Sequence, residues 1–236
     1  MAADLVKDSY QLIAEFTMLL AAMANVPFNP LDKRRLGESV ASALLKREIG
    51  PLPPLEKFDG AGVYAIYFTG NIQYYRRVAE QNRRDQYEMP LYVGKAVPPG
   101  ARKGGFGLDT APGPVLFSRL REHSQSLEEA GLDLRQFPCK YLVADDIWIP
   151  LGESLLIEMF RPLWNVVIEG FGNHDPGKGR QGQVKSAWDT LHPGRKWAAG
   201  LPANPRRPEE LRRRITDFLR GRRVATIPTD KAVTDE

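Results

Sequence analysis

Two tyrosines, Tyr64 and Tyr92, each sit in a short apolar run with a glycine, Gly62-Val63-Tyr64 and Tyr92-Val93-Gly94, and Lys95 follows the second run directly. Downstream come Arg119 and His123, four residues apart, and then Glu153 and Asn165, twelve apart. Side chains of these types can break a phosphodiester. A carboxylate is a hard oxygen ligand for Mg²⁺, which needs only one or two protein carboxylates and fills its shell with water and phosphate oxygens. Arginine offers phosphate a fixed fork of donors and keeps its charge. Histidine exchanges a proton near neutral pH. A free tyrosine titrates near about pH 10 and serves as a base only where a neighbouring cation stabilises the phenolate. Tyr64 and His123 are therefore both candidates for the group that takes a proton from attacking water.

Each piece also has an ordinary explanation. Aromatics fill strands, acids suit the first turn of a helix, and Arg119 and His123 at i and i+4 fit the polar shoulder of an amphipathic helix. Glu158 lies five residues after Glu153, roughly 140° around a helix at about 100° per residue, so the two cannot easily share a metal and Glu158 reads as a surface acid.

The elements that must position these residues follow from the hydrophobic pattern. Residues 4–25 repeat Leu5, Leu12, Phe16, Leu19, Leu20 and Met23 at helical spacing. Asn29-Pro30 signals the start of a second helix that carries Leu36, Val40, Leu44 and Leu45 inward. Pro51-Leu52-Pro53-Pro54 reads as a linker. Val63–Phe68 and Leu91–Val93 are strand-like, with a polar, aromatic-rich insert, residues 71–89, between them. Then come a Gly/Pro loop over 98–114, a helix over Leu116–Leu127, a strand over Lys140–Ala144 and a helix over Gly152–Phe160, which puts Glu153 in a first turn. A last helix spans Glu209–Arg222. The order predicts an α+β fold. Its parts are a helical addition over 1–55, a core over 56–170 and a basic C-terminal extension over 171–236, in one compact domain.

Taken together, Gly62-Val63-Tyr64, Tyr92-Val93-Gly94-Lys95, Arg119, His123, Glu153 and the Pro-Leu-Trp-Asn ending at Asn165 resemble the signature of the GIY-YIG nuclease superfamily, over about residues 60–168. Arg119-Leu-Arg-Glu-His123, Gly-Phe-Gly-Asn-His-Asp-Pro-Gly and Trp-Asp-x-Leu-His-Pro-Gly-Arg are similar to the branch of type II restriction endonucleases of the Eco29kI kind. The resemblance implies a small three-stranded antiparallel sheet flanked by helices and hydrolysis of DNA with one Mg²⁺, or Mn²⁺ in its place. It implies that Glu153 holds the metal, that Tyr64 takes or relays the water's proton, and that Arg119 neutralises charge on the phosphate. Tyr92, Lys95 and His123 then position water and phosphate, and Asn165 braces the site. A structure-specific repair or mobile-element nuclease with the same site, or an inactive DNA-binding protein, is the alternative.

Composition bounds the rest. One cysteine, Cys139, excludes an internal disulfide framework, and one cysteine with three histidines argues against structural zinc. No stretch is long enough to span a bilayer, and acids spoil the N-terminus as a leader, so a cytoplasmic protein is expected. Residues 172–223 hold 13 Lys/Arg against 5 Asp/Glu, a balance of +8 in a chain of net charge +4, as suits a surface that faces a polyanion. Phosphate contacts carry no sequence information directly, so reading of double-stranded DNA is assigned to side chains outside the catalytic set. Arg76 and Arg77 in the insert and Arg180, Lys185 and Arg195 in the tail are the candidates. Gly177–Gly182 matches G-x-G-x-x-G but follows no strand, so a dinucleotide fold is not expected. A duplex cut at a two-fold site predicts a homodimer on DNA, and restriction implies a cognate DNA methyltransferase.

Overall fold

The computed structural model describes residues 32–83, 87–98, 111–174, 183–222 and 224. The predicted helix over 4–25, the Asn29-Pro30 start signal, the Gly177–Gly182 run and Arg180 lie outside them. Among the described residues no helix is long and apolar enough to cross a membrane.

Three strands form one antiparallel sheet: β1 (Gly62–Ile66), β2 (Tyr92–Ala96) and β3 (Cys139–Val143), in the order β2-β1-β3. The central strand β1 is buried along its whole length. Because side chains alternate across a strand, its residues divide between two cores. Tyr64 and Ile66 face one, with Leu116, Leu120, Trp164, Phe171, Trp188 and Leu211. Val63 and Ala65 face the other, with Ala41, Leu44, Ile149 and Leu156.

On the second face lie helices α1 (Lys33–Leu45) and α4 (Ile149–Phe160), packed on one another and on the sheet. Asp32 caps α1, its Oδ1 accepting from the amides of Arg34 and Arg35 at 3.0 and 3.2 Å, the usual way a short acid satisfies orphan donors. The buried stripe of α1 is Gly37, Ala41 and Leu44, while Leu36, Val40 and Leu45, expected inside, are half-buried. Small residues on that line let α1 approach α4 closely. Full burial of Leu44 alone is worth roughly 1.5–3 kcal/mol.

On the first face lies α3 (Val115–Glu129), and beside it the C-terminal half of the chain: α5 (Leu163–Val166), α6 (Ala187–Leu191) and α7 (Pro208–Leu219). This segment is no appendage. Trp164, Phe171, Trp188, Leu191, Leu211 and Ile215 complete the same core as Tyr64. The insert between β1 and β2 contributes regular structure among its described residues. A 3₁₀ turn over Gln73–Tyr75 runs into α2 (Arg76–Asn82), which buries Tyr75, Val78, Ala79 and Asn82 and covers the core. Asn82 stitches the insert shut, donating to the carbonyls of Phe68 and Met89 at 3.1 and 2.9 Å and accepting from the Met89 amide at 3.1 Å.

A second buried network holds α5 in place. Trp164 Nε1 donates to Tyr75 Oη at 2.8 Å, and Tyr75 Oη is 2.7 Å from His192 Nε2. Burial drives the His192 pKa down to about 3, helped by the charge of Arg212, so this imidazole is neutral.

Candidate active site

The site is built around the edge strand β2. Tyr64 stands directly opposite Gly94, and its ring lies over that glycine. A Cβ at Gly94 would come within 2.4 Å of Tyr64 Oη and 2.6 Å of its Cζ. The glycine after Tyr92-Val93 is thus the space in which the buried tyrosine lies. Tyr92, diagonal to Tyr64 on the same face, places its ring centroid 6.2 Å away.

Helix α3 brings Arg119 and His123 to the two tyrosines. His123 falls on the buried stripe of α3 with Leu116, Leu120 and Leu127, where an unpaired polar group is costly. Its partner is Tyr64, with Oη 2.6 Å from Nε2 and both residues buried. Phe171 stacks on the imidazole at 4.4 Å and 19°. Burial, then the charge of Arg119, holds the His123 pKa well below its ordinary value, so the ring is neutral. Burial, then Tyr92, holds Tyr64 well above the ordinary tyrosine range, with Arg119 pulling the other way through its charge and a hydrogen bond. Tyr64 Oη thus shares a short hydrogen bond with the neutral His123 ring while the Arg119 charge beside it favours loss of its proton.

Arg119 is held from several sides. Nη2 donates to the Gly172 carbonyl at 2.6 Å, and Nη1 to Glu122 Oε2 at 2.9 Å, with the His174 imidazole beside it at 3.0 Å from Nδ1. A Cβ at Gly172 would meet Tyr92 Oη at 2.4 Å, so glycine lets this backbone reach both Tyr92 and Arg119. Arg119, His123, Phe171, His174, Lys196 and Trp197 line a cavity of about 330 Å³; the two tyrosines, Lys95 and Glu153 do not line it.

Lys95 and Glu153 come from the other face. Alternation along β2 puts Lys95 with Val93 on the α4 side, where its Nζ is 2.7 Å from Glu153 Oε2. The carboxylate, 19% exposed, adds to the upward shift of both tyrosines, which places it in the same electrostatic neighbourhood. Glu153 is the fifth residue of α4, one turn further in than expected, because the helix starts at Ile149 with Pro150 in its first turn. The favourable field of a helix N-terminus fades within that turn, so the dipole does not account for this acid. Glu158, by contrast, is exposed and pairs with Arg34 at 3.6 Å.

Asn165 braces the strand. Its Oδ1 accepts from the Val93 amide at 2.9 Å and its Nδ2 donates to the Val93 carbonyl at 2.8 Å. The structure thus brings Tyr64, Tyr92, Arg119 and His123 together, pairs Lys95 with Glu153 near enough for its charge to act on both tyrosines, and braces β2 with Asn165.

The residues expected to read DNA fare differently. Arg76 and Arg77 are exposed on α2, where Arg76 pairs with Glu80 at 2.8 Å and Arg77 donates to the Leu219 carbonyl. Lys185 is half-buried. Arg195 is corrected. It is 1% exposed and has no face for DNA, since its donors go to Asp189 and to the carbonyls of Gly170, Phe171 and Asn173. Sequence reasoning also passed over Glu122, Phe171, Gly172 and His174 as site residues. Glu122 stood inside the Arg-Leu-Arg-Glu-His run and the other three inside Gly-Phe-Gly-Asn-His-Asp-Pro-Gly, so the signal was present.

A Mg²⁺-type ion suits this donor set. Glu153 offers a hard oxygen that already accommodates one cation, the Lys95 ammonium. Zinc asks for three or four protein ligands, and among the described residues no three His, Cys, Asp or Glu stand together as a metal-binding group.

No curated protein matches the chain significantly. The family model of the Eco29kI GIY-YIG domain does match, over residues 56–219. That span takes in the sheet, the tyrosine, arginine, histidine and glutamate cluster, and the C-terminal helices that complete its core. The chain belongs to the Eco29kI GIY-YIG domain family and is a nuclease of that fold.

Proposed function

We propose that this chain is a type II restriction endonuclease that hydrolyses both strands of DNA at a short palindromic site, using Mg²⁺ or Mn²⁺. What supports the reading is the contact between buried Tyr64 and neutral His123, set against Arg119 and within the field of Glu153. Glu153 would hold the metal, which supplies a Lewis acid for the phosphate and a more acidic water. In the reacting complex Tyr64 Oη accepts the proton of the attacking water as it passes its own to His123 Nε2. That relay avoids forming a free phenolate where burial disfavours one. Arg119 meets the charge that builds on the phosphate oxygens, the kind of preorganised stabilisation that contributes most to such reactions. Lys95 leaves Glu153 for a phosphate oxygen, and Tyr92 and Asn165 keep strand and water in place. Two copies act on the two strands, and a methyltransferase protects the host's own sites.

Incubation of a mixed-sequence plasmid with the protein, in Mg²⁺ and in EDTA, tests the reading. Discrete fragments in Mg²⁺ and none in EDTA are expected. A smear, nicks alone or no cleavage overturns it. Sedimentation with a cognate duplex is expected to give two chains per duplex, and one chain per duplex would remove the dimer.

A further inference from the structure

Arg195 is among the largest fully buried side chains of the molecule, and its partners explain why a charge is kept there. Nε donates to Asp189 Oδ1 at 2.7 Å, and Asp189 Oδ2 also accepts from Ser186 Oγ at 2.6 Å. The guanidinium lies over the rings of Trp188 and Trp197, at 4.5 and 4.8 Å from their centroids. The other donors reach back more than twenty residues. Nη2 donates to the Gly170 carbonyl at 2.8 Å, and Nη1 to the carbonyls of Phe171 and Asn173 at 3.1 Å each.

That short loop touches the active site three times. The Phe171 ring stacks on His123, the Gly172 carbonyl accepts from Arg119, and His174 stands against the same guanidinium. Lysine, a single ammonium, cannot reproduce a planar fork that reaches a carboxylate and three carbonyls together.

We propose that Arg195, anchored by Asp189, is a positioning residue for DNA cleavage: it fixes residues 170–174 so that Gly172 and His174 aim Arg119 while Phe171 seats His123 against Tyr64. The proposal rests on the nuclease reading above. Arg195 touches no substrate and acts through the loop. Misplacement of a catalytic group by about 1 Å can cost on the order of 10²-fold in rate, so a large effect follows from a side chain remote from the phosphate.

The experiment uses the full-length protein with Arg195→Lys and, as a second probe, Asp189→Asn. Circular dichroism selects the folded variants. On a cleavable plasmid in Mg²⁺, kcat is expected to fall at least about tenfold, with KM for DNA within about twofold of wild type. The chain has only three histidines, so the ¹⁵N spectrum of the imidazoles is short and His174→Gln helps assign it. In Arg195→Lys the His123 signals should move, since the Phe171 ring no longer lies flat on them. This second readout needs no cleavage. If the wild type fails to cut DNA, the nuclease reading falls while the spectrum still tests the placement of His123. A folded Arg195→Lys with wild-type kcat and unmoved His123 signals overturns the proposal. So does a rise in KM alone, which would make Arg195 a DNA contact.

Discussion

Acidification to about pH 5 should weaken the fold through His192, and the amount can be worked out. The folded pKa lies near about 3 because the ring is buried against Trp164 and Trp188 and faces the Arg212 charge. In the unfolded chain it returns to about 6.5. A group whose folded pKa is depressed binds more protons when unfolded, so its stabilisation is present above about pH 6.5 and is lost as the pH falls towards 3. Between about pH 7 and 5 the loss from this one side chain is about 2 kcal/mol. The figure barely changes for any folded pKa below about 4, so it does not lean on the exact value. His192→Gln keeps a polar atom for Tyr75 but cannot titrate. Urea unfolding followed by tryptophan fluorescence should show the wild type losing about 2 kcal/mol more than the variant over that interval. With a slope near 2 kcal/mol per molar, that is roughly a 1 M larger drop in midpoint. Parallel pH dependences in the two proteins would refute a buried neutral His192. His123 acts with the same sign and is common to both, so it cancels.

The active site gives further expectations. Glu153→Ala should abolish cleavage while leaving DNA affinity near that of wild type in a mobility-shift assay, and robust cutting would remove the metal assignment. Tyr64→Phe and Arg119→Ala should each lower kcat by about 10²-fold or more with the fold intact by circular dichroism; a normal rate for Tyr64→Phe would shift the base to His123 alone. The rate should hold steady as the pH falls through 6.5 and decline only well below it, since cleavage needs His123 unprotonated and its pKa is depressed; an acid limb at 6.5 or higher in the pH–rate profile would contradict the relay. Lys185→Ala, with Arg76→Ala and Arg77→Ala, should relax or weaken site choice on a panel of near-cognate duplexes, and unchanged discrimination would place base reading elsewhere.

Much of the catalytic cluster was legible because its members sit in short motifs at fixed places on regular elements. Strand alternation and the helical stripe of Leu116, Leu120 and Leu127 placed them on elements, but it was the resemblance to the GIY-YIG signature that joined them into one set. What escaped depends on distant partners. Arg195 lies in a Gly/Pro-rich basic stretch that looks like surface, and its burial rests on Asp189 together with carbonyls more than twenty residues upstream. The insert was read only as polar and aromatic-rich, since α2 has seven residues, too few for a periodic stripe to stand out. Glu153 was placed one turn too early because the helix was read from Gly152, whereas it starts at Ile149 with Pro150 in the first turn, where proline is favoured.

The pincer that Asn165 makes on Val93 has a consequence for how copies of this protein can meet. β2 is an outer strand, and an outer strand normally presents bare amides and carbonyls to which another chain can add. Here the Val93 amide and carbonyl are both taken by one side-chain carboxamide, and the Leu91 carbonyl accepts from the Trp164 amide at 2.9 Å. A neighbour lengthening the sheet at this border would have to break these three hydrogen bonds to pair with Leu91 and Val93. The opposite border is closed only at one end, where Gly50 exchanges both its backbone hydrogen bonds with Cys139. Strand addition is therefore opposed along Leu91–Val93, where the Asn165 carboxamide and the Trp164 amide already occupy the border.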